Sequence, residues 1–286
     1  MKILTITGTR PELIRLSIII EKLDTMVDHV LVYTNQNYDY NLSKRFFNEL
    51  KIREPNYYFE REATSFGDFF GNAVIDFEKI IKIEKPDKVL VLGDTNSGLL
   101  SIVAQKYGIP VYHMEAGNRC YDDRLPEEAN RKIIDSLAKY NLPYTENSKQ
   151  NLLSEGYHKN YVFKTGNPIY EVLMKYHNDI GKSVMGYEWG LEDINTEKFI
   201  DFVLVTAHRT ENVDNEETLR SIVNALNEIA ENYKVVFSLH PRTRNKLENF
   251  NIVLNKSILV SSPMGFFDFV YLEKHAMCVI SDSGTV

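Results

Sequence analysis

Val89-Leu-Val-Leu-Gly-Asp94 is an apolar run of strand length that ends in a glycine and an acid. Val111-Tyr-His-Met-Glu115 repeats this pattern one segment later, and Leu125-Pro-Glu127-Glu128 places acids at the start of a helical segment. Strands that alternate with helices form a parallel sheet, whose carboxyl edge opens on the ligand crevice. We therefore predict an α/β fold that gathers these acids at one edge, although an acid after a strand is also a common turn former.

Length and composition are those of a globular protein with about two domains. The 286 residues carry a formal net charge of −7, with 43% hydrophobic and 26% charged residues. This balance argues against broad binding to nucleic acid or to an anionic membrane. Only Cys120 and Cys278 are present, which fits a reducing cytoplasm better than a disulfide framework. Because the sequence shows no leader and no long apolar span, we expect a cytoplasmic protein.

Apolar runs predict two doubly wound, Rossmann-like domains that face a cleft. We place the first over residues 1–177 and the second over 178–286. The expected strands are Lys2 to Thr7, His29 to Thr34, Lys88 to Leu92, Pro110 to Met114, Tyr161 to Lys164, Phe199 to Thr206, Lys234 to Leu239, Ser257 to Val260 and Ala276 to Ser281. Since the sequence ends just after a strand, where a covering helix would follow, the second domain is expected to be truncated at its C-terminal end.

A helix is predicted from about Asn215, because apolar residues recur there at helical spacing. Asp214 is the expected N-cap and Glu217 would complete a capping box.

Gly8-Thr-Arg-Pro-Glu12 lies where the first strand turns into the first helix. Backbone amides, the helix N-terminus and Arg10 would together face a phosphate there, although an ordinary turn with Pro in the first helical turn explains the motif equally well. A G-x-G-x-x-G fingerprint is missing from the strand-to-helix turns, which argues against a dissociable dinucleotide.

Glu127 and Arg131 are four residues apart on one predicted helix. On a solvated face they would form only a weak ion pair. At a crevice, the guanidinium would hold down the pKa of the carboxyl and leave it a proton acceptor.

His208-Arg-Thr-Glu-Asn212 follows the first strand of the second domain and concentrates donors for phosphate oxygens, including Arg209. Ser281-Asp-Ser-Gly284 adds hydroxyls and a turn that would lead into a helix N-terminus. His113, His208, His240 and Asp94 match no compact ligand spacing, so no metal site is predicted.

Seven motifs, taken in order, resemble the non-hydrolysing UDP-N-acetylglucosamine 2-epimerase family from one end of the chain to the other. They are Gly8-Thr-Arg-Pro-Glu12, Gly93-Asp-Thr95, Glu115-Ala-Gly117, Pro126-Glu-Glu-Ala-Asn-Arg131, Thr165-Gly-Asn167, His208-Arg-Thr-Glu-Asn212 and Ser281-Asp-Ser-Gly284. The resemblance implies a glycosyltransferase-B-type fold, a UDP-sugar substrate, no cofactor and a homodimer.

The resemblance also implies the reaction and its residues. The family inverts C2 of a UDP-2-acetamido sugar by eliminating UDP and adding it back, which requires acid/base groups on both faces of the sugar. Asp94, Glu115 and Glu127 match the family's carboxylates. The other residues expected at the site, for phosphate, leaving-group, substrate or nucleotide contacts, are Arg10, Arg131, His208, Arg209, Glu211, Asn212, Ser281, Ser283 and Gly284, together with Arg15, which replaces a common Lys.

Several positions depart from the usual family pattern. Arg15 stands where Lys is common, Asn118 where Leu is common, Thr285 where Gly is common, and Asn35-Gln-Asn-Tyr-Asp39 where Gly-Gln-His is common. These changes resemble the subgroup that forms UDP-N-acetyl-L-fucosamine from its L-talose epimer for bacterial surface polysaccharides. A glycosyltransferase of the same fold, a hydrolysing epimerase and a truncated, non-catalytic nucleotide-sugar-binding module remain alternatives.

Overall fold

The protein, a computed structural model, folds into two compact units, Met1–Met174 and Lys175–Val286. The structure describes residues 1–35, 40–59, 65–193, 195–196 and 198–283. The boundary between the units lies three residues before the one expected from the sequence. No helix in these ranges is long and apolar enough to cross a bilayer.

A six-stranded parallel sheet organises the first unit, in the order β3-β2-β1-β4-β5-β6. This is the strand order of a doubly wound nucleotide-binding sheet, in which the direction of winding reverses between β1 and β4. Its strands are β1 (Lys2–Thr7), β2 (Asp28–Tyr33), β3 (Tyr57–Tyr58), β4 (Lys88–Leu92), β5 (Val111–Met114) and β6 (Tyr140–Leu142).

Helices cover this sheet, because its central strands bury consecutive residues and therefore both of their faces. They are α1 (Arg10–Met26), α2 (Tyr40–Glu49), α3 (Phe66–Glu84), α4 (Ser101–Lys106), α5 (Pro126–Leu137), α6 (Glu146–Ser154) and α7 (Ile169–Lys175). α3 begins where the Ser65 hydroxyl accepts a hydrogen bond from the Asp68 amide and ends at Lys85, whose φ is 47°. Under α3, a buried core joins β1, β4 and α5 through Leu4, Ile6, Phe77, Ile80, Val89, Val91 and Ile134.

The strand expected from Tyr161 to Lys164 is wrong. A 3-10 turn occupies Lys159–Tyr161, and only Val162 makes an isolated bridge to Asn141. The sixth strand is instead Tyr140–Leu142. A short apolar run therefore did not identify the segment that pairs.

The second unit holds a four-stranded parallel sheet in the order β11-β10-β9-β12 and a hairpin of β7 and β8. Its strands are β7 (Glu192–Asp193), β8 (Lys198–Phe199), β9 (Phe202–Thr206), β10 (Lys234–Ser238), β11 (Leu259–Ser261) and β12 (Cys278–Ser281). Its helices are α8 (His177–Ile180), α9 (Met185–Glu188), α10 (Thr210–Val213), α11 (Glu216–Ile229), α12 (Pro241–Asn249) and α13 (Phe266–His275). The strand order reverses between β9 and β12, so this sheet has its own switch point.

The N-cap predicted for α11 is corrected by one residue. Asn215 caps the helix, and its side-chain oxygen accepts from the Thr218 amide. Asp214 instead binds Arg242 and Lys246 of α12. Glu217 therefore lies one position too early to close a capping box.

Candidate active site

The switch point of the first unit brings Asp94 and Glu115 to one sheet edge. Asp94 follows β4, Glu115 follows β5, and these two strands are parallel neighbours. Ligands of doubly wound sheets bind outside the carboxyl ends of the strands at such a reversal. Two of the three acids predicted from sequence are thus positioned by adjacent strands.

Asp94 is held by the first two turns of α5. Its carboxylate lies 2.6 Å from Arg131 Nη2, and Asn130 Nδ2 donates to the Asp94 carbonyl at 2.8 Å. Arg131 Nη1 lies 3.1 Å from the buried carboxylate of Glu128. One guanidinium therefore joins Asp94 to Glu128 and fixes the loop after β4.

Glu115 is a largely buried carboxyl in a left-handed backbone conformation, with φ at 65°. Its Oε2 binds Arg15, and Asn118 Nδ2 lies 3.4 Å from its Oε1. Burial raises the pKa of Glu115; Arg15 opposes this rise and the negative charge of Asp94 adds to it. A carboxyl with a raised pKa exchanges protons closer to neutral pH, as a general acid or base must.

The expected pair of Glu127 with Arg131 is wrong, because no ion pair joins these two described residues. Glu127 is exposed on the first turn of α5, while Arg131 pairs with Asp94 and Glu128. Burial alone would raise the pKa of Glu128, but hydrogen bonds from Cys120 and Arg131 lower it to about 2. The helical spacing therefore predicted Glu127 as the partner of Arg131, whereas the structure pairs Arg131 with the next residue, Glu128.

The phosphate site expected at the first strand-to-helix turn also needs correction. Glu12, itself buried, accepts hydrogen bonds from the amides of Gly8 at 2.8 Å and Thr9 at 2.7 Å and from the Thr95 hydroxyl at 2.7 Å. These two amides are therefore already occupied. Arg10 lies with its guanidinium 5.7 Å from the centre of the Phe46 ring, and its contact with substrate stays a prediction.

Glycine is required at two positions beside these acids. A Cβ on Gly8 would lie 2.1 Å from the Ser97 hydroxyl oxygen and 2.2 Å from that of Thr34. Gly93 has φ at 77°, a conformation that disfavours other residues. The chain can therefore pass close behind the site at Gly8 and turn sharply into Asp94.

A buried polar network lies beneath the site and was missed in the sequence. His113 Nε2 lies 2.8 Å from the Gly93 carbonyl, and its Nδ1 lies 2.8 Å from Asp135 Oδ1. Asp135 Oδ2 accepts from the buried guanidinium of Arg119 at 2.8 Å. Both ring nitrogens of His113 therefore face oxygen atoms of buried groups, and these contacts fix the orientation of its ring. The structure buries Asp135 together with Ile134 on this helix, which the spacing of apolar residues did not indicate.

In the second unit, Asp282 gathers the residues predicted after β9. Its carboxylate accepts from the amides of His208 at 3.0 Å and Arg209 at 2.9 Å, and from Asn212 Nδ2 at 3.1 Å. His208 Nδ1 lies 3.7 Å from the same carboxylate. Asp282 itself was not among the predicted site residues, although it lies inside the serine-rich motif that was.

The other predicted residues of this unit that the structure describes lie near the same switch point. The Ser283 amide donates to the Ser281 hydroxyl at 2.9 Å, and Arg209 Nη1 lies 3.4 Å from Glu211. The His208 and His240 rings are 5.4 Å apart between centres. Gly284 lies outside the described residues. Among the described residues, no group of three or more His, Cys, Asp or Glu side chains could hold a metal ion.

Comparison with known proteins identifies the family. A family model described as UDP-N-acetylglucosamine 2-epimerase matches residues 21–286. The UDP-N-acetylglucosamine 2-epimerase of Methanocaldococcus jannaschii is 40% identical over 294 residues, which cover 100% of this chain and 80% of that protein. The chain belongs to the UDP-N-acetylglucosamine 2-epimerase family. It is therefore an isomerase, and the resemblance carried by the seven motifs is confirmed.

Further relatives and solved structures support the same family. The UDP-2,3-diacetamido-2,3-dideoxy-D-glucuronate 2-epimerase of Pseudomonas aeruginosa is 34% identical, with 100% of this chain and 79% of that protein covered. The crystal structure of the M. jannaschii enzyme in complex with UDP-GlcNAc and UDP has a TM-score of 0.91 at 39% identity, covering 100% of this chain and 80% of that one. The Neisseria meningitidis enzyme bound to UDP-GlcNAc gives 0.87 at 28% identity, with 100% and 78% covered. The predicted α/β class of glycosyltransferase-B type is confirmed.

Proposed function

We propose that this chain inverts C2 of a UDP-2-acetamido sugar by eliminating UDP and adding it back. The observation that carries the proposal is the pairing of two carboxyls, Asp94 and Glu115, with two guanidinium groups, Arg131 and Arg15, at one sheet edge. The relative from M. jannaschii is described in complex with UDP-GlcNAc and UDP, the nucleotide sugar and the leaving group that this reaction requires.

The reaction follows from the chemistry of C2, whose hydrogen is not adjacent to a carbonyl and is only weakly acidic. A base takes this proton while the bond from C1 to UDP breaks, and the electron pair becomes the C1–C2 double bond of a 2-acetamidoglycal. UDP then adds back at C1 as C2 receives a proton on the opposite face. Hydrogen leaves and returns as a proton, so the cycle has no net oxidation or reduction.

The acids of the first unit supply the proton transfers in this proposal. Glu115 has the raised pKa suited to giving and taking a proton, and Asp94 is kept in place by Arg131. Glu127 is the third acid/base carboxylate of the family motif, and its exposed position on α5 leaves it accessible to a ligand.

The second unit is proposed to bind UDP. His208 and Arg209 carry positive or donor groups, and Ser281 and Ser283 carry hydroxyls, which suit the oxygens of a diphosphate. Glu211 and Asn212 would contact the nucleotide side, and Gly284 of the serine-rich motif is also proposed to contact the substrate. Arg10, in the first unit, is also proposed to contact the substrate.

Two substrates are proposed. The first is UDP-N-acetylglucosamine with its manno epimer, the sugar that most of the matching relatives are named for. The second is the L-talose nucleotide that gives UDP-N-acetyl-L-fucosamine, a precursor for bacterial surface polysaccharides. It is favoured by Arg15 and Asn118, two departures from the usual family pattern that both reach Glu115.

Proton exchange in deuterated water tests the reaction. The full chain is incubated with each of the two UDP-sugars, and the recovered UDP-sugar is examined by NMR for deuterium at C2. We expect incorporation with one of them, and at least about 100-fold slower incorporation in Asp94→Asn. Epimerised product without deuterium would refute the mechanism. Net release of UDP together with free sugar would indicate a hydrolysing epimerase, and transfer to an added acceptor a glycosyltransferase.

We also propose that the protein is a homodimer, as the family resemblance implies. Light scattering on the purified chain measures its mass directly, and a monomer mass of 33.1 kDa across the micromolar range would contradict this.

A further inference from the structure

Tyr144 lies at the same sheet edge as Glu115, one strand further along. It follows β6 after Pro143, and β6 is the parallel neighbour of β5. The Glu115 amide donates to the Leu142 carbonyl at 3.1 Å, which ties the two strand ends together. Adjacent strand ends of a parallel sheet open on the same crevice. Tyr144 therefore belongs to the crevice edge, although no motif pointed to it.

The Tyr144 hydroxyl is buried and has no acceptor for its hydrogen among the described residues. The residue is 8% exposed, its hydroxyl oxygen meets no partner at full hydrogen-bond geometry there, and the Arg15 side chain that interacts with it can only donate. Buried polar groups in native proteins nearly always have a partner, so an exception calls for an explanation. A hydrogen-bond acceptor on a bound ligand would give the Tyr144 hydroxyl a partner.

The two charged groups that interact with this hydroxyl, Arg15 and Glu115, are already paired with each other. Arg15 binds Oε2 of Glu115, and Asn118 approaches Oε1 while its own oxygen accepts from Ser148 at 2.7 Å. Burial raises the pKa of Tyr144 and the negative charge of Glu115 raises it further, while Arg15 opposes both. Tyr144 is consequently a neutral phenol at physiological pH, able to donate a hydrogen bond.

We propose that the Tyr144 hydroxyl donates a hydrogen bond to the acetamido carbonyl oxygen of the bound UDP-2-acetamido sugar. This inference rests on the proposed function, in which Glu115 acts at C2. The acetamido group is attached to that same carbon, and its amide carbonyl is the strongest neutral acceptor on the sugar. A donor beside Glu115 is therefore placed to select sugars that carry this group. Tyr144 is a specificity-determining residue in this view.

Tyr144→Phe tests the inference, because it removes one oxygen and keeps the ring. We expect binding of UDP-GlcNAc, measured by titration calorimetry, to weaken about 5- to 10-fold, while binding of UDP alone stays within twofold. We expect the unliganded variant to melt at the same or a higher temperature than the wild type, since an unsatisfied buried hydroxyl is gone. The wild type should prefer UDP-GlcNAc to UDP-glucose, and the variant should lose this preference.

Tyr161→Phe is the matched control, since Tyr161 is 42% exposed in the same unit and outside the site. Unchanged affinity of Tyr144→Phe for UDP-GlcNAc would overturn the inference, as would equal weakening for UDP, or for UDP-glucose. Deuterium incorporation by the wild type is measured in parallel. If the wild type incorporates none but binding still depends on Tyr144, then the proposed reaction fails and the contact stands.

Discussion

Asp135→Asn would break the buried network under the candidate site. Asp135 and the Arg119 side chain are both fully buried, and the carboxylate accepts from Arg119, His113 and the Gly117 amide. An Asn side chain keeps one acceptor oxygen but turns an amide group, which only donates, toward the donors of Arg119 or His113. The substitution thus removes the charge partner of Arg119 and adds a clash between donors.

The expected loss follows from this geometry. Removing one partner of a buried ion pair is destabilising by about 3 to 5 kcal/mol. Glu155 also binds Arg119, at 2.6 Å, but its side chain is 34% exposed and compensates only in part. With a urea m-value of about 2 kcal/mol/M, the midpoint for the first unit should fall by about 1.5 to 2.5 M.

Urea unfolding with two probes measures this change. Far-UV circular dichroism reports both units, whereas the single tryptophan, Trp189, lies in the second. We expect the dichroism transition of the first unit to move and the Trp189 fluorescence transition to move less. Asp76→Asn, which removes an exposed ion pair with Lys79, is the control and should shift the midpoint by less than about 0.5 M. A shift no larger than this control would refute the reasoning.

Three further predictions concern the two switch points. Asp282→Asn should weaken UDP binding about 10-fold by titration calorimetry, because the carboxylate that holds the amides of His208 and Arg209 is lost; equal affinity would contradict this. Gly93→Ala should lower the free energy of unfolding by about 1 to 2 kcal/mol, since φ is positive there, and unchanged thermal unfolding would count against it. The folded state raises the pKa of Glu115, so this group contributes stability below its unfolded pKa that is lost as pH rises through the folded one. The free energy of unfolding of Glu115→Gln, relative to that of the wild type, should therefore increase between pH 4 and pH 8 in urea titrations. A difference that stays constant over this range would contradict the raised pKa of Glu115.

The sequence located those parts of the fold where local pattern and burial coincide. Lys2–Thr7 and Lys88–Leu92 were predicted with their observed bounds, because these runs pair in the interior of the sheet. The segment from Tyr161 to Lys164 has similar composition, but it reaches the sheet only through a single bridge at Val162. Pairing of a short segment depends on its neighbours in space, which composition does not reveal.

The candidate site, like the fold, was predicted from the sequence only in part. Asp94 and Glu115 follow strands, so the topology alone places them together. The partner of Arg131 was assigned by helical spacing, but Asp94, distant in sequence, competes for the same guanidinium. Asp282 meets Asn212 across 70 residues of sequence. Such contacts follow from the folded chain and not from the spacing of any one helix.

The left-handed backbone of Glu115 has a consequence for how this protein would change under selection. A non-glycine residue in that conformation is less stable by roughly 1 to 2 kcal/mol, and Gly or Asn would relieve the strain. A population screened only for heat resistance would accordingly drift toward those residues at position 115 and lose the carboxyl. Under the reaction proposed above, a lineage that keeps Glu115 is one in which selection for catalytic turnover is stronger than selection for thermal stability.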